Sequence, residues 1–121
     1  MDDPKLIGYG IWTLIHIFSL RLGKEEFINF MYNISIFFPC VKCKKHCIEY
    51  MKINPIEEYK NKIFKRSDNN EFLEIGLFVW TWKFHNAVNK RLNKEEKKLI
   101  DMYNLYSNKN NVCGINCFNS K

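Results

Sequence analysis

A chain of 121 residues has room for one domain with a sizeable core, and excludes a cofactor domain joined to a separate substrate domain. Hydrophobic residues make up 46% and aromatic residues 16%, which excludes disorder over most of the length. The net charge of +6 favours an anionic, phosphate-bearing ligand, but no basic stripe, zinc-finger spacing or RNA-binding motif accompanies it, so nucleic acid is not the expected partner.

Met1-Asp2-Asp3-Pro4 is acidic where an export signal needs positive charge, and the apolar run behind it is interrupted by His16 and Arg21. The expectation is a protein of the cytoplasm with no membrane segment. Along Lys5 to Leu22, Leu6, Ile7, Ile11, Leu14, Ile15 and Phe18 fall at helical spacing and predict one apolar face. Gly23 breaks the pattern and is expected to cap that helix. Glu25 to Phe37 predicts a second helix through Phe27, Phe30, Met31 and Ile34. Pro39 ends it and opens a third, from about Cys40 to Ile53, stopped by Asn54-Pro55. Ile56 to Asn70 is polar and predicts a short helix plus a loop. Glu71 to Leu92 carries Leu73, Leu77, Trp80, Phe84 and Val88, the stripe of a core helix, with Asn93 as its cap. Lys94 to Tyr106 predicts a last, more charged helix. Residues 107–121 are rich in Asn, hold Cys113 and Cys117, and read as a flexible tail behind a domain of residues 1–106.

Chemistry concentrates in two places. Cys40 and Cys43 follow Pro39 as C-x-x-C, which sets two sulfurs one turn apart on one face at the start of a helix, a separation that suits a reversible disulfide. A cysteine there, beside Lys42, Lys44 and Lys45, is expected to ionise readily. The run from Trp80 to Leu92 supplies indoles, His85, Asn86 and Asn89, a surface suited to a flat polar aromatic. Together they predict a redox disulfide beside a bound ring cofactor. Five cysteines without an export signal point to metal or redox work rather than a stapled secreted scaffold.

Three motifs in one order carry a resemblance: Gly8, Trp12 and His16 as G-x-x-x-W-x-x-x-H; Pro39, Cys40, Cys43 and His46 as P-C-x-x-C-x-x-H; and Trp80, His85, Asn86, Val88, Asn89, Arg91, Leu92 and Lys94 as W-x-x-x-x-H-N-x-V-N-x-R-L-x-K. The chain resembles the Erv/ALR family of FAD-linked sulfhydryl oxidases, most of all its small viral members. The resemblance implies an all-α four-helix bundle with a short fifth helix, often a homodimer, and FAD at the mouth of the bundle. It implies that Cys43 is the sulfur that reduces the flavin and Cys40 the one that exchanges with incoming thiols. Gly8, Trp12, His16, Cys43, Trp80, His85, Val88, Asn89, Leu92 and Lys94 would surround the cofactor. Oxygen would be the final acceptor, giving hydrogen peroxide, and client protein dithiols or a thioredoxin-like carrier the donors. A viral member would work in the host cytoplasm or the virion.

The chain departs from the family pattern at Tyr9, Asn93 and Glu95, and its structural disulfide is missing, since no Cys lies between Cys47 and Cys113. Taken singly, His16 reads as a hydrogen-bonded core histidine. Trp82 reads as packing and Cys47 as an apolar filler. Cys113 and Cys117 permit an electron shuttle, a stabilising clip or a partner-binding thiol pair. The rival reading is a zinc-binding interaction module built from Cys40, Cys43, His46 or Cys47 with the tail cysteines. A thioredoxin-like oxidoreductase lacks its βαβ pattern.

Overall fold

The computed structural model describes residues 4–108, with side chains from residue 10 onward. Five α-helices account for most of them: α1 Pro4–Arg21, α2 Lys24–Phe37, α3 Val41–Ile53, α4 Gly76–Arg91 and α5 Leu99–Ser107. The expected all-α class holds, and no helix among the described residues is long and apolar enough to cross a membrane.

Local chemistry explains most boundaries. Pro4 occupies the first position of α1, where its missing N–H costs nothing. Glu25 and Glu26 sit in the first turn of α2, favourable for the helix dipole. Gly23 caps this helix at its start and not α1 at its end: its φ of −58° is open to any residue, so no left-handed turn closes α1. Pro39 separates α2 from α3, and Asn54 closes α3 before Pro55. At the far end of α4, Asn93 takes φ 57°, with its N–H on the Lys90 carbonyl (3.2 Å) and the Lys94 N–H on the Asn89 carbonyl (2.7 Å). That is a Schellman closure around a left-handed Asn, as expected for the cap.

Two stretches differ from the sequence expectation. Ile56–Tyr59 forms the short helix as a 3-10 turn, but the chain beyond it is not only loop. Strands β1 Phe64–Lys65 and β2 Phe72–Leu73 pair antiparallel, Phe64 against Leu73 and Lys65 against Phe72. Residues expected in the long helix from Glu71 therefore belong to this hairpin. The start of α4 is set at Gly76, where an added Cβ would lie 1.8 Å from the Tyr59 carbonyl oxygen. The last helix also begins late, at Leu99, because the Lys97 backbone is tied to α4: its N–H donates to Asn86 Oδ1 (2.8 Å), and its carbonyl accepts from Asn86 Nδ2 (2.8 Å) and Trp82 Nε1 (2.7 Å).

The core gathers Ile15 from α1, Phe27, Ile28 and Met31 from α2, Cys47 and Met51 from α3, Ile56, and Leu77, Trp80 and Phe84 from α4. Trp80 sits within it with no exposed surface, and its indole N–H donates to the Asn54 carbonyl at 2.8 Å. That bond satisfies the one polar atom such a ring must bury.

Candidate active site

The site is built where the start of α3 and the middle of α1 meet the second half of α4. Tyr50 stacks on Phe84 with centroids 4.8 Å apart, which fixes α3 against α4. Two turns back along α3 lie the cysteines. Cys43 feels the positive charge of Arg91 near the end of α4, so the two helices run antiparallel there. On the other flank of α4, Trp12 packs edge-on against Phe84 (5.0 Å) and lies flat on His85, centroids 4.0 Å apart and planes within 4°.

Cys40 is the N-cap of α3: its sulfur accepts the Cys43 backbone N–H at 3.3 Å, the place a Ser or Asp oxygen often takes. The two sulfurs lie 2.7 Å apart, with Cys43 donating to Cys40. They are within reach of a covalent bond by side-chain adjustment. Their acidities diverge. The Cys43 thiol and N–H, with Lys42, hold Cys40 below its ordinary value. Burial and the proton shared with Cys40 push Cys43 up to about 11, against the pull of Arg91. The expected low pKa at the helix start therefore belongs to Cys40 and not to Cys43. A lowered pKa makes Cys40 the better leaving group of the two sulfurs in thiol–disulfide exchange.

His16 is fully buried. Its Nδ1 meets Thr81 Oγ1 at 2.9 Å and its Nε2 meets His85 Nδ1 at 2.8 Å. Burial, then the neighbouring His85, lowers it to about 3; burial, then Lys94 and Lys97, lowers His85 to about 4. Both rings are neutral at physiological pH. The Tyr106 ring of α5 lies 4.8 Å from His16.

Several expected ligand contacts converge on this surface and others do not. Trp12, His85 and Val88 are half-buried, and Lys94 stands near enough to act on His85. Asn89 is buried, with its amide on Asn86 Oδ1 at 3.3 Å. Leu92 is 53% exposed on the rim, and Gly8 lies in α1 among residues whose side-chain surroundings are not described. Trp80 and His16 have no exposed surface, and their polar atoms are paired within the protein. Thr81 belongs to none of the three motifs. Its only signal is its place one helical turn before His85 on the same face.

Cys47 is buried in the core with its thiol pushed up to about 11 by burial, the filler expected of it. Among the described residues no group of three or more His, Cys, Asp or Glu converges. Cys113 and Cys117 lie outside the described residues. An apolar cavity of about 400 Å³ lies elsewhere, lined by Phe64, Leu73, Ile75, Trp82, Leu99 and Tyr103 among others, and shares no residue with the cysteine pair or with Trp12 and His85.

The donor set fits a flavin nucleotide. It offers an aromatic and aliphatic face in Trp12, His85 and Val88, and cations in Lys94, Lys97 and Arg91 for phosphates. The same residues fall in a region, 9–108, that matches the model of the Erv1 / Alr family. A FAD-linked sulfhydryl oxidase of African swine fever virus is 27% identical over 106 residues, covering 82% of this chain and 78% of that protein. The mitochondrial FAD-linked sulfhydryl oxidase erv1 of Schizosaccharomyces pombe is 29% identical over 101 residues, 78% of this chain and 50% of its own. Sulfhydryl oxidase 1 of Oryza sativa subsp. japonica is 32% identical over 102 residues, 81% of this chain but 17% of that longer protein. With the family model spanning most of its length, the chain belongs to the Erv1 / Alr family.

Proposed function

We propose that the chain is a FAD-dependent sulfhydryl oxidase that converts dithiols to disulfides with oxygen as acceptor. The observation that carries this reading is the sulfur pair at the start of α3, 2.7 Å apart, on a helix that packs through Tyr50 against Phe84 of α4, the helix that also presents His85 to Trp12. In the oxidised enzyme, a client thiolate attacks the Cys40 sulfur and the Cys40–Cys43 bond breaks, with the electron pair left on Cys43. The second client thiol then attacks the mixed disulfide, releasing an oxidised client and a Cys40 thiolate. Cys40 suits this exchange, being the more accessible sulfur with the lowered pKa. Cys43, the more buried sulfur and within the field of Arg91, is the one we assign to pass electrons to the flavin. When bound, FAD supplies the acceptor for the two electrons and two protons released as the pair closes again, and delivers them to oxygen as hydrogen peroxide. Trp12, His85, Val88, Asn89, Leu92 and Lys94 are the residues assigned to hold it, with Gly8 allowing close backbone approach.

Three finer points belong to the same proposal. Exposed Leu14 on α1 and Ile36 and Phe37 on α2 offer apolar surface for a second copy, supporting a homodimer. Client protein dithiols or a thioredoxin-like carrier are the electron donors. The cytoplasm is the proposed place of action, supported by the unpaired buried thiol of Cys47, which a disulfide-stapled secreted scaffold rarely keeps. The enzyme reading is tested on the purified full chain. Bound flavin, oxygen uptake with dithiothreitol and one peroxide per disulfide are expected; a colourless protein with stoichiometric zinc overturns it.

A further inference from the structure

The contact between His16 and His85 leaves open which ring donates, but the hydroxyl beneath them decides it. Thr81 Oγ1 lies 2.6 Å from the Phe78 carbonyl, an acceptor that can only receive a proton, so the single Thr81 proton is spent there. Its second contact, His16 Nδ1 at 2.9 Å, must then be a bond that Thr81 accepts, and the His16 proton sits on Nδ1. His16 Nε2 is consequently a bare lone pair, and the 2.8 Å bond to His85 is donated by His85 Nδ1–H. A neutral imidazole carries one ring proton. His85 Nε2 is therefore a lone pair too, and among the described residues no hydrogen bond reaches it. This is the less usual form, since a free imidazole prefers its proton on Nε2.

We infer that Thr81 is a positioning residue for the cofactor: through His16 it holds His85 as the Nδ1–H tautomer, so that Nε2 faces the nucleotide as a hydrogen-bond acceptor. The inference rests on the proposed placement of FAD against Trp12 and His85. It specifies what that ring recognises. An Nε2 lone pair takes an N–H or O–H donor, which FAD offers in its adenine amine, its ring imide and its ribose and ribityl hydroxyls. It repels a phosphate oxygen, so the pyrophosphate falls to the lysines. Trp12, flat on one face of His85 at 4.0 Å, fixes the ring plane, the Nδ1 bond to His16 fixes the lone pair's direction within it, and the burial that keeps both rings neutral preserves the chain of bonds across physiological pH.

The test uses the full chain, labelled with ¹⁵N, and long-range ¹H–¹⁵N correlation of the histidine rings with and without FAD. Protonated Nδ1 and bare Nε2 are expected on both His16 and His85. Thr81→Val removes the acceptor beneath His16, freeing the inner ring to move its proton to Nε2 and drive that of His85 to Nε2 in turn. FAD affinity should then fall about tenfold or more, as when a buried polar partner is lost. Thr81→Ser keeps the hydroxyl and should restore both ring pattern and affinity. A proton on His85 Nε2 in the wild-type protein overturns the inference, as does a wild-type Kd in a Thr81→Val protein whose tautomers have changed. Should Thr81→Val fail to fold, the wild-type and Thr81→Ser spectra still decide the tautomer, and their FAD titrations still show whether the His85 signals move on binding, as the acceptor role requires. A wild-type protein with the expected ring pattern and no affinity for FAD overturns instead the flavin reading, together with the nucleotide as partner of His85.

Discussion

Acid should weaken this fold well before its carboxylates are protonated. His16 is lowered from 6.5 to about 3, chiefly by burial, and a proton added at its Nε2 would face the Nδ1–H of His85. The folded state thus excludes a proton that the unfolded chain accepts. The stability tied to that exclusion is complete above about pH 6.5 and is lost as pH falls from there toward 3. At pH 5, one and a half units below the unfolded pKa and well above the folded one, His16 alone should cost about 2 kcal/mol. His85, lowered to about 4, acts in the same direction and over the same window. Against a typical domain stability of about 5–15 kcal/mol this is a large fraction. Urea unfolding at pH 7, 6 and 5 measures it. The midpoint should drop with an unchanged m-value, and unfolding at pH 5 should take up close to one proton or more. A free energy constant within about 0.5 kcal/mol between pH 7 and 5, or an NMR titration of His16 near its ordinary value, would show that the folded state does not exclude this proton.

Gly76→Ala should lower stability by about 1–3 kcal/mol or more, because its Cβ would meet the Tyr59 carbonyl oxygen at 1.8 Å and the 3-10 turn or the start of α4 must move. A thermal melt equal to wild type would show that contact to be unimportant. Cys47→Ser buries a hydroxyl among apolar side chains and should cost about 1–3 kcal/mol while dithiothreitol turnover per folded molecule stays unchanged. Lost turnover in a folded, flavin-loaded variant would instead give Cys47 a part in electron transfer. Replacing both Cys113 and Cys117 by Ser should slow oxidation of a folded protein client and spare dithiothreitol, whereas an equal loss on both substrates removes the shuttle reading of the tail.

Proline and asparagine make the chain's punctuation legible. Pro39 and Asn54-Pro55 bracket α3 in the structure as in the sequence, and Asn93 takes the left-handed turn that closes α4. The C-x-x-C pair is legible for the same local reason, since a helix start dictates both the spacing and the capping role of Cys40. Depth is not legible. A motif places His16 and Trp80 on the correct faces of α1 and α4, but only the packing of neighbouring helices shows that both are sealed beneath the surface Trp12 and His85 present. The hairpin escapes because two strands of two residues have no periodicity to read, and the start of α4 escapes because it is fixed by an approach to Tyr59, remote in the chain. The late start of α5 likewise depends on Trp82 and Asn86 gripping Lys97, three residues whose meeting no local pattern records. Thr81 is the sharpest case: a mid-helix threonine of no motif, whose importance lies wholly in the buried ring it touches.

Electrons should leave the dithiol through the inner cysteine. Anaerobic mixing of the flavin-loaded protein with dithiothreitol, followed by absorption, tests it most directly in Cys43→Ser against Cys40→Ser and wild type. Wild-type flavin should bleach rapidly, whereas Cys43→Ser should keep its flavin bound and oxidised over the same interval. Bleaching of Cys43→Ser at the wild-type rate would contradict that route.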